Sequence, residues 1–482
     1  MLHEIWIYPP LAFARLGASD TPMDNFHWAD NDYAARGTAE TVIRPAKSLT
    51  VAEDGTVGVH EPERIVFKDG EAFRPVCPFF EVHGRWTVDG TEHEGPVTPD
   101  VLAACGLPAD ATSWRVEAGN DKAYHYTLSD ADRVAAAVDI PAGDFAKKPL
   151  EGRSPEGAGE PLVLADAPIP FGHVQACRPA GDFTTFRLRL TPGKGDVYAP
   201  TDIADRDLSA LFKPYEDPAA FLARVHAILN PKADWPSWNP AVKGDYRTTP
   251  GLLFAQTPAP ASLGFLDDVC DGLVICRIAG AGDGARGVEA FARFSCCPPD
   301  FQPDRRPFVS IADGLTDLVD RRAVFASAYV ADNWEETEAE IADLMQRVKE
   351  TMGASNLDIQ NERSQVANQR SGRPTWPFEP QDTRAGDPLP LTEWGRRHHS
   401  RFLAYQVFKK LMHQRPDTFE RWIRDPTEVV PFFDNQMPAL MRGSTGNPMA
   451  LTQRQYFLMK HWLDHMAAEP GDARAAAPEA KP

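Results

Sequence analysis

The sequence predicts an α+β fold, with a β-rich N-terminal region followed by a mainly helical C-terminal module. From Ile5 to about Ile311 the apolar runs are short and are separated by Gly, Pro, Asp and Asn, which is typical of short strands joined by turns. After about residue 330, apolar residues recur at helical spacing. We therefore expect a sandwich or a distorted barrel first, and packed helices after it.

A carboxylate-rich turn is expected before one of the central strands. Asp267, Asp268 and Asp271 stand just before the apolar residues 273–275. Carboxylates this close together can also hold Mg²⁺ or Ca²⁺, but the alternating ligands and the closing bidentate Glu of a calcium loop are absent. The pattern favours a turn that leads into a buried strand.

Two further strands have clear signals. Residues 291–294 predict a strand that Pro298 and Pro299 end, because proline offers no backbone donor to a sheet. In residues 184–190 apolar side chains alternate with arginines, so the arginines are expected on a solvated face.

The C-terminal part contains several helical patterns. An amphipathic helix is predicted between Asn333 and Gly353, and a long connection rich in Pro and Gly between Asn356 and Asp387. A helix over 391–414 and a short one over 418–424 follow.

The last helix has the best-defined start. Thr452 and Gln455 form a T-x-x-Q pattern, in which each side chain binds the other residue's backbone amide. A single apolar face follows, formed by Tyr456, Met459, Leu463 and Met466.

These patterns divide the chain into four parts. Residues 1–312 are predicted to form the β-rich domain, and residues 313–387 a helix with the long connection. Residues 388–468 are predicted to form the helical module, and the Ala- and Pro-rich residues 469–482 a disordered tail.

The composition is typical of a globular protein, and the length is enough for two or three domains. Its 482 residues carry a formal net charge of −19, with 43% hydrophobic and 25% charged residues. Nucleic acids and anionic membranes are recognised through Lys and Arg, so the acidic balance argues against both as partners. No secretory signal and no stretch of transmembrane length is evident, which favours a cytoplasmic location.

The cysteines and histidines give few candidates for a disulfide or a metal site. Seven irregularly spaced cysteines indicate reduced thiols, although the adjacent Cys296 and Cys297 can also close a strained ring or bind a metal. His461 and His465 lie one helical turn apart, but the glutamate of H-E-x-x-H and an evident third ligand are missing, so no metal is predicted there. His398 and His399 point about 100° apart on a helix and favour a solvated face.

Several motifs recur in the order of a known family. D-D-x-x-D-G-x-V, P-P-D-F-x-P and V-S-I-A-D follow one another between residues 265 and 314, and Ile7–Gly17 contains P-P-L-A-F-A-R-L-G. Met437–Leu440 is M-P-A-L, and Leu451–Trp462 begins L-T-Q-R-Q-Y. Spread over most of the chain, these segments resemble the LodA-like family, whose characterised members are lysine ε-oxidases and glycine oxidases.

The resemblance implies a cysteine tryptophylquinone cofactor and a small-molecule amine or amino acid as substrate. In such oxidases a cysteine is cross-linked to an oxidised tryptophan, and the quinone forms a Schiff base with a primary amine before oxygen restores it, releasing ammonia and hydrogen peroxide. The candidates here are Trp462 with Cys297 or Cys296. The family's cysteine lies after the P-P-D-F motif, however, and no cysteine follows Cys297.

Three functions therefore stay open. The first is a quinone-dependent oxidase of a primary amine or amino acid. The second is a non-catalytic binding or structural protein on the same scaffold, acting as a homo-oligomer or with a partner protein. The third is metal-assisted chemistry through His461 and His465.

Overall fold

The computed structural model divides into two compact units, Met1–His27 with Arg44–Phe301 and Trp28–Ile43 with Gln302–Pro482. The predicted connection over 356–387, the start of the helix predicted at 391, His398 and His399, Met437–Leu440 and the predicted tail lie outside the described residues. The structure describes residues 1–28, 43–206, 218–239, 262–280, 287–300, 303–354, 405–428, 436, 441–442 and 447–468.

Most strands belong to the first unit, as the sequence predicts. In chain order the strands are β1 (Leu2–Tyr8), β2 (Leu11–Arg15), β3 (Phe26–Trp28), β4 (Ile43–Pro45), β5 (Ser48–Val51), β6 (Val57–His60), β7 (Lys68–Asp69), β8 (Ala72–Phe73), β9 (Phe79–Val88), β10 (Thr91–Pro96), β11 (Thr112–Asn120), β12 (Val134–Ile140), β13 (Lys148–Gly152), β14 (Ile169–Ala176), β15 (Arg187–Pro192), β16 (Val197–Pro200), β17 (Val225–Leu229), β18 (Leu266–Asp267), β19 (Cys270–Ile278), β20 (Val288–Cys297), β21 (Met441–Arg442) and β22 (Asn447–Pro448).

The helices lie mostly in the second unit. In chain order they are α1 (Pro99–Ala104), α2 (Lys122–Thr127), α3 (Pro218–Leu222), α4 (Ile311–Val319), α5 (Arg322–Phe325), α6 (Ser327–Asp332), α7 (Trp334–Ala354), α8 (Tyr405–Gln414), α9 (Asp417–Trp422) and α10 (Gln453–Ala468). Among the described residues, no helix combines the length and the apolar character needed to cross a membrane.

Two large sheets build the first unit. One has the order β1-β9-β15-β14-β13, with β10 also paired to β9, and the other has the order β12-β11-β19-β20-β2. The pairing is antiparallel except between β2 and β20. Both sheets contribute to one hydrophobic core, for example through Phe80 and Leu188 of the first sheet and Val116 and Val274 of the second. This confirms the β-rich region as a sandwich, and the described strands form no closed barrel.

The carboxylate-rich turn is confirmed at Asp267 and Asp268, which bind partners within the protein, whereas Asp271 already belongs to β19 and is exposed. The Asp267 carboxylate lies 2.5 Å from Lys122 Nζ. Asp268 is fully buried, and its Oδ2 accepts the amides of Gly195 at 2.9 Å and Asp196 at 3.3 Å. These two carboxylates therefore tie together segments that are distant in sequence.

The expectation of a solvated arginine face on β15 is wrong. Arg187 Nε donates to Glu81 Oε1 at 2.5 Å, and the Arg187 side chain is only 12% exposed. Arg189 lies over the ring of Phe79. The reason is that β15 is an inner strand with β9 and β14 as neighbours, so its polar side chains meet those of the next strand.

The second unit has its own hydrophobic core, in which α7 and α10 supply many of the side chains. Helix α7 agrees with the predicted helix within one residue at each end. The predicted apolar face of α10 is confirmed, since Tyr456, Met459, Leu463 and Met466 are all buried. The helical part of this unit begins at Ile311, earlier than the change that the sequence predicts near residue 330. Ser310 and Asp313 form a capping box that starts this helix.

Candidate functional site

The two candidate cysteines face opposite sides of β20. Cys296 is fully buried in the core of the first unit. The pKa of its thiol is raised, first by its hydrogen bond with the Cys270 thiol and then by burial. Cys297 is half-buried, with its sulfur 3.5 Å from Ser295 Oγ.

Trp462 belongs to the second unit. It lies in the middle of α10 and is 0% exposed, packed within the core that also contains Leu458 and Leu463. A working tryptophylquinone must present a carbonyl to its substrate and a ring carbon to a sulfur. Trp462 and Cys296 are both completely buried, which does not fit that requirement, whereas Cys297 is half-buried.

His461 and His465 each lie beside an aromatic ring. The His461 ring lies 6.2 Å from that of Phe457, and the His465 ring lies 4.8 Å from that of Trp334, measured between centroids. Within the described ranges, no group of three or more His, Cys, Asp and Glu side chains is placed to hold a metal ion. The structure therefore gives the third function no supporting site in those ranges.

A polar cleft in the second unit was not predicted from the sequence. It lies among α4, α7 and α10 and has a volume of about 250 Å³, slightly below the ~300–1,000 Å³ common for small-molecule pockets. Its lining consists of Asp313, Thr316, Glu340, Ile341, Asp343, Leu344, Arg347, Thr452, Arg454, Gln455 and Leu458. We call this set the polar cleft.

The first wall of the polar cleft is a chain of ion pairs around Arg347. The guanidinium donates to both oxygens of Asp313, at 2.8 and 3.2 Å, and its Nε lies 3.0 Å from Asp343. Asp343 also accepts from Arg306 at 2.6 Å. Asp313 is fixed in turn by the capping box, in which the Ser310 amide donates to it at 2.7 Å. Each carboxylate in this wall therefore has a set orientation.

The second wall is built at the start of α10. Thr452 and Gln455 form the predicted capping box, with bonds of 3.0 and 3.2 Å, which is thereby confirmed. Arg454 follows directly and donates to both oxygens of Glu340, at 2.5 and 2.9 Å. Its amide donates to Asp317. The cap thus positions the arginine that holds Glu340 at the cleft.

The lining carries more negative than positive charge. Burial raises the pKa of Asp313, but hydrogen bonds from Arg347 and Ser310 outweigh this and leave that pKa below its usual value. The hydrogen bond to Glu340 raises the pKa of Arg454. Three carboxylates and two guanidinium groups line the cleft. With all five ionised, the described lining itself holds one excess negative charge, and Arg306 pairs with Asp343 from outside the lining.

Three other side chains of the lining are aliphatic, beside the polar Thr316, Thr452 and Gln455. Ile341 and Leu344 come from α7 and Leu458 from α10, and all three are buried. Among the described residues, the lining includes no cysteine, histidine, lysine or tryptophan. A short aliphatic chain with a cationic end matches this combination of charge and apolar surface.

Two local signals pointed to parts of this site. Asp343 and Arg347 have the i, i+4 spacing of a helical ion pair, and the T-x-x-Q pattern fixed the start of α10. Neither signal indicates that Arg454 meets Glu340, because those residues are 114 positions apart.

No family model and no curated protein matches the chain. Among solved structures, the chain is similar to the ε-lysine oxidase from Marinomonas mediterranea, with 14% identity, a TM-score of 0.42 and coverage of 98% of this chain and 62% of that one. It is also similar to the Schiff base intermediate of the L-Lys ε-oxidase from the same organism with L-Lys, with 13% identity, a TM-score of 0.41 and coverage of 95% and 61%. The chain spans less than two thirds of either structure. This is a distant likeness of fold and carries no conclusion about activity.

Proposed function

We propose that this chain is a non-catalytic scaffold protein that binds a small primary amine or amino acid in the polar cleft. The observation that carries this proposal is the lining itself, in which three oriented carboxylates outnumber two guanidinium groups and three side chains are aliphatic. A lining of this kind attracts a cation more than an anion.

The ammonium group of the ligand is the part that the cleft suits best. A primary ammonium has three donors and no acceptor, and a carboxylate has about four lone-pair positions. Glu340 accepts from Arg454 and from Tyr329, and its side chain is 31% exposed, so it can accept a further donor from a ligand. Charge-assisted bonds of this kind contribute roughly 1.5–3 kcal/mol each.

An amino acid would add a carboxylate, for which Thr452 of the same second wall offers a donor. Thr452 Oγ1 accepts the amide of Gln455, which leaves its hydroxyl hydrogen able to donate. Arg454, which also lines the cleft, adds positive charge to the same wall. The cleft therefore suits amino acids as well as simple amines.

Oxidative deamination is the second candidate, favoured by the order of the sequence motifs. It requires a sulfur bonded to an oxidised tryptophan, whereas Cys296 and Trp462 are both fully buried. Intact-mass spectrometry separates the two proposals, because a quinone changes the mass from the sequence value and absorbs visible light. Release of hydrogen peroxide from an amine panel would support oxidation and overturn the non-catalytic proposal.

Calorimetric titration tests the binding itself. We expect butylamine and L-lysine to bind the wild-type chain and butan-1-ol, which lacks the charge, not to bind. Glu340→Gln should weaken amine binding roughly tenfold or more, since a charge-assisted bond is reduced to a neutral one. Glu335→Gln is the matched control, being an exposed acid on the same helix. Equal affinity in Glu340→Gln and the wild type, or binding of neither amine, contradicts the proposal.

A further inference from the structure

Two cysteines of the first unit face each other across neighbouring strands. Cys270 opens β19 and Cys296 stands near the end of β20, and the antiparallel register places them directly opposite. The register is unbroken from this pair to Ile278 and Val288. Both side chains are buried on the core side of the sheet, at 2% and 0% exposure.

The register brings the pair within the range of a disulfide. Directly opposed residues of antiparallel strands have Cα atoms roughly 4.5–5.5 Å apart, and disulfides span Cα separations of about 4.4–6.8 Å. The neighbouring Cys270 thiol is also the largest cause that raises the pKa of Cys296. Cys297 points to the other side of the strand, where it contacts Ser295.

We propose that Cys270 and Cys296 are a redox modification site that closes a reversible cross-strand disulfide. The oxidant is a low-molecular-weight disulfide such as oxidised glutathione. One protein thiolate attacks it and releases one glutathione thiolate, and the second protein thiolate then displaces the other. The net reaction oxidises the two protein thiols to one disulfide and reduces one glutathione disulfide to two thiols, which take up the two protons.

Burial controls when this reaction occurs. Only the thiolate attacks a disulfide, and in the closed sheet the Cys296 thiol is enclosed and its pKa is raised. The bond therefore forms while the paired strands β19 and β20 are still open to solvent, during folding or transient opening of the core. Once formed it is shielded from reducing thiols in the same way. Whether the two cysteines are thiols or a disulfide therefore depends on the redox conditions under which the chain folded.

Refolding in a glutathione buffer tests the inference on the unmodified chain. The chain is unfolded with reductant, refolded with oxidised glutathione, alkylated under denaturing conditions and mapped as peptides without reduction. Of the seven cysteines, we expect Cys270 and Cys296 to appear as one linked pair and the others as alkylated thiols. The melting temperature should rise by roughly 5–10 °C over that of the reduced chain.

Matched variants identify the pair. Cys270→Ala and Cys296→Ala should each abolish the linked peptide and the rise in melting temperature, whereas Cys297→Ala should keep both. A linked Cys296–Cys297 peptide, or alkylation of all seven cysteines after oxidative refolding, overturns the inference. The peptide map of the unmodified chain decides the matter even where a variant fails to fold.

Discussion

The two units bury ionisable groups in different ways. In the first unit Asp268 is enclosed, and its carboxylate accepts the amides of Gly195 and Asp196. It therefore stabilises the local fold. In the second unit Asp313, Glu340 and Asp343 are oriented by arginines but also border a cleft of about 250 Å³. Burial alone therefore does not mark a binding site. An oriented charge becomes a candidate when it also faces a volume that a ligand can enter.

The largest effect on stability is expected when the arginine at the centre of the first wall is removed. Arg347→Met keeps the apolar stem but leaves Asp313 and Asp343 without their shared guanidinium. Because the side chain is only 13% exposed, we expect a loss of roughly 3–5 kcal/mol in the free energy of unfolding. Urea denaturation measures this loss.

The control for that substitution is an exposed ion pair. Arg421→Met removes an arginine that is 67% exposed and pairs with Asp417 on the surface of α9. It should change the unfolding midpoint little, because exposed pairs are screened by water and salt. Similar losses for Arg347→Met and Arg421→Met would mean that the buried network contributes no more than a surface contact.

The pH dependence of stability tests the effect of burying Asp268 in the first unit. Burial raises the pKa of Asp268 to about 6 from 3.8, although the Gly195 and Asp196 amides act to lower it. Folding thus favours the protonated acid. Its contribution to stability is complete below pH 3.8 and is lost as the pH rises through about 6. Between pH 5 and pH 8 this loss is roughly 1–1.5 kcal/mol.

Asp268→Asn isolates that contribution. The amide oxygen can still accept the Gly195 and Asp196 amides, but the side chain no longer titrates. Urea denaturation at pH 5 and pH 8 should give a smaller decrease in the free energy of unfolding for the variant than for the wild type. The same decrease in both proteins would show that Asp268 is not the titrating group.

The smallest expected effect concerns the cap that positions Arg454. Thr452→Ala removes the oxygen that accepts the Gln455 amide and should cost about 1 kcal/mol. Thr452→Ser keeps the hydroxyl and should cost much less. Thermal unfolding of the two variants measures the difference, and equal melting temperatures would contradict the role of this cap.

Local signals in the sequence were sufficient for much of the fold and for little of the site. The start of α10 follows from Thr452 and Gln455 alone, and β19 follows from the apolar run after Asp271. The cleft depends on pairs that no local pattern links, such as Arg454 with Glu340, 114 positions apart. The arginines of β15 were misjudged for a similar reason, since the partner of Arg187, Glu81, is 106 positions away. Tertiary packing decides which charges meet.

A crystal structure of the chain with L-lysine tests the central claim most directly. The account predicts an ammonium nitrogen of the ligand within about 3 Å of a carboxylate oxygen of Asp313, Glu340 or Asp343, as expected for a charge-assisted hydrogen bond. The aliphatic chain should lie along Ile341, Leu344 and Leu458. Lysine bonded to an oxidised Trp462, or bound elsewhere while the polar cleft holds only water, would contradict it.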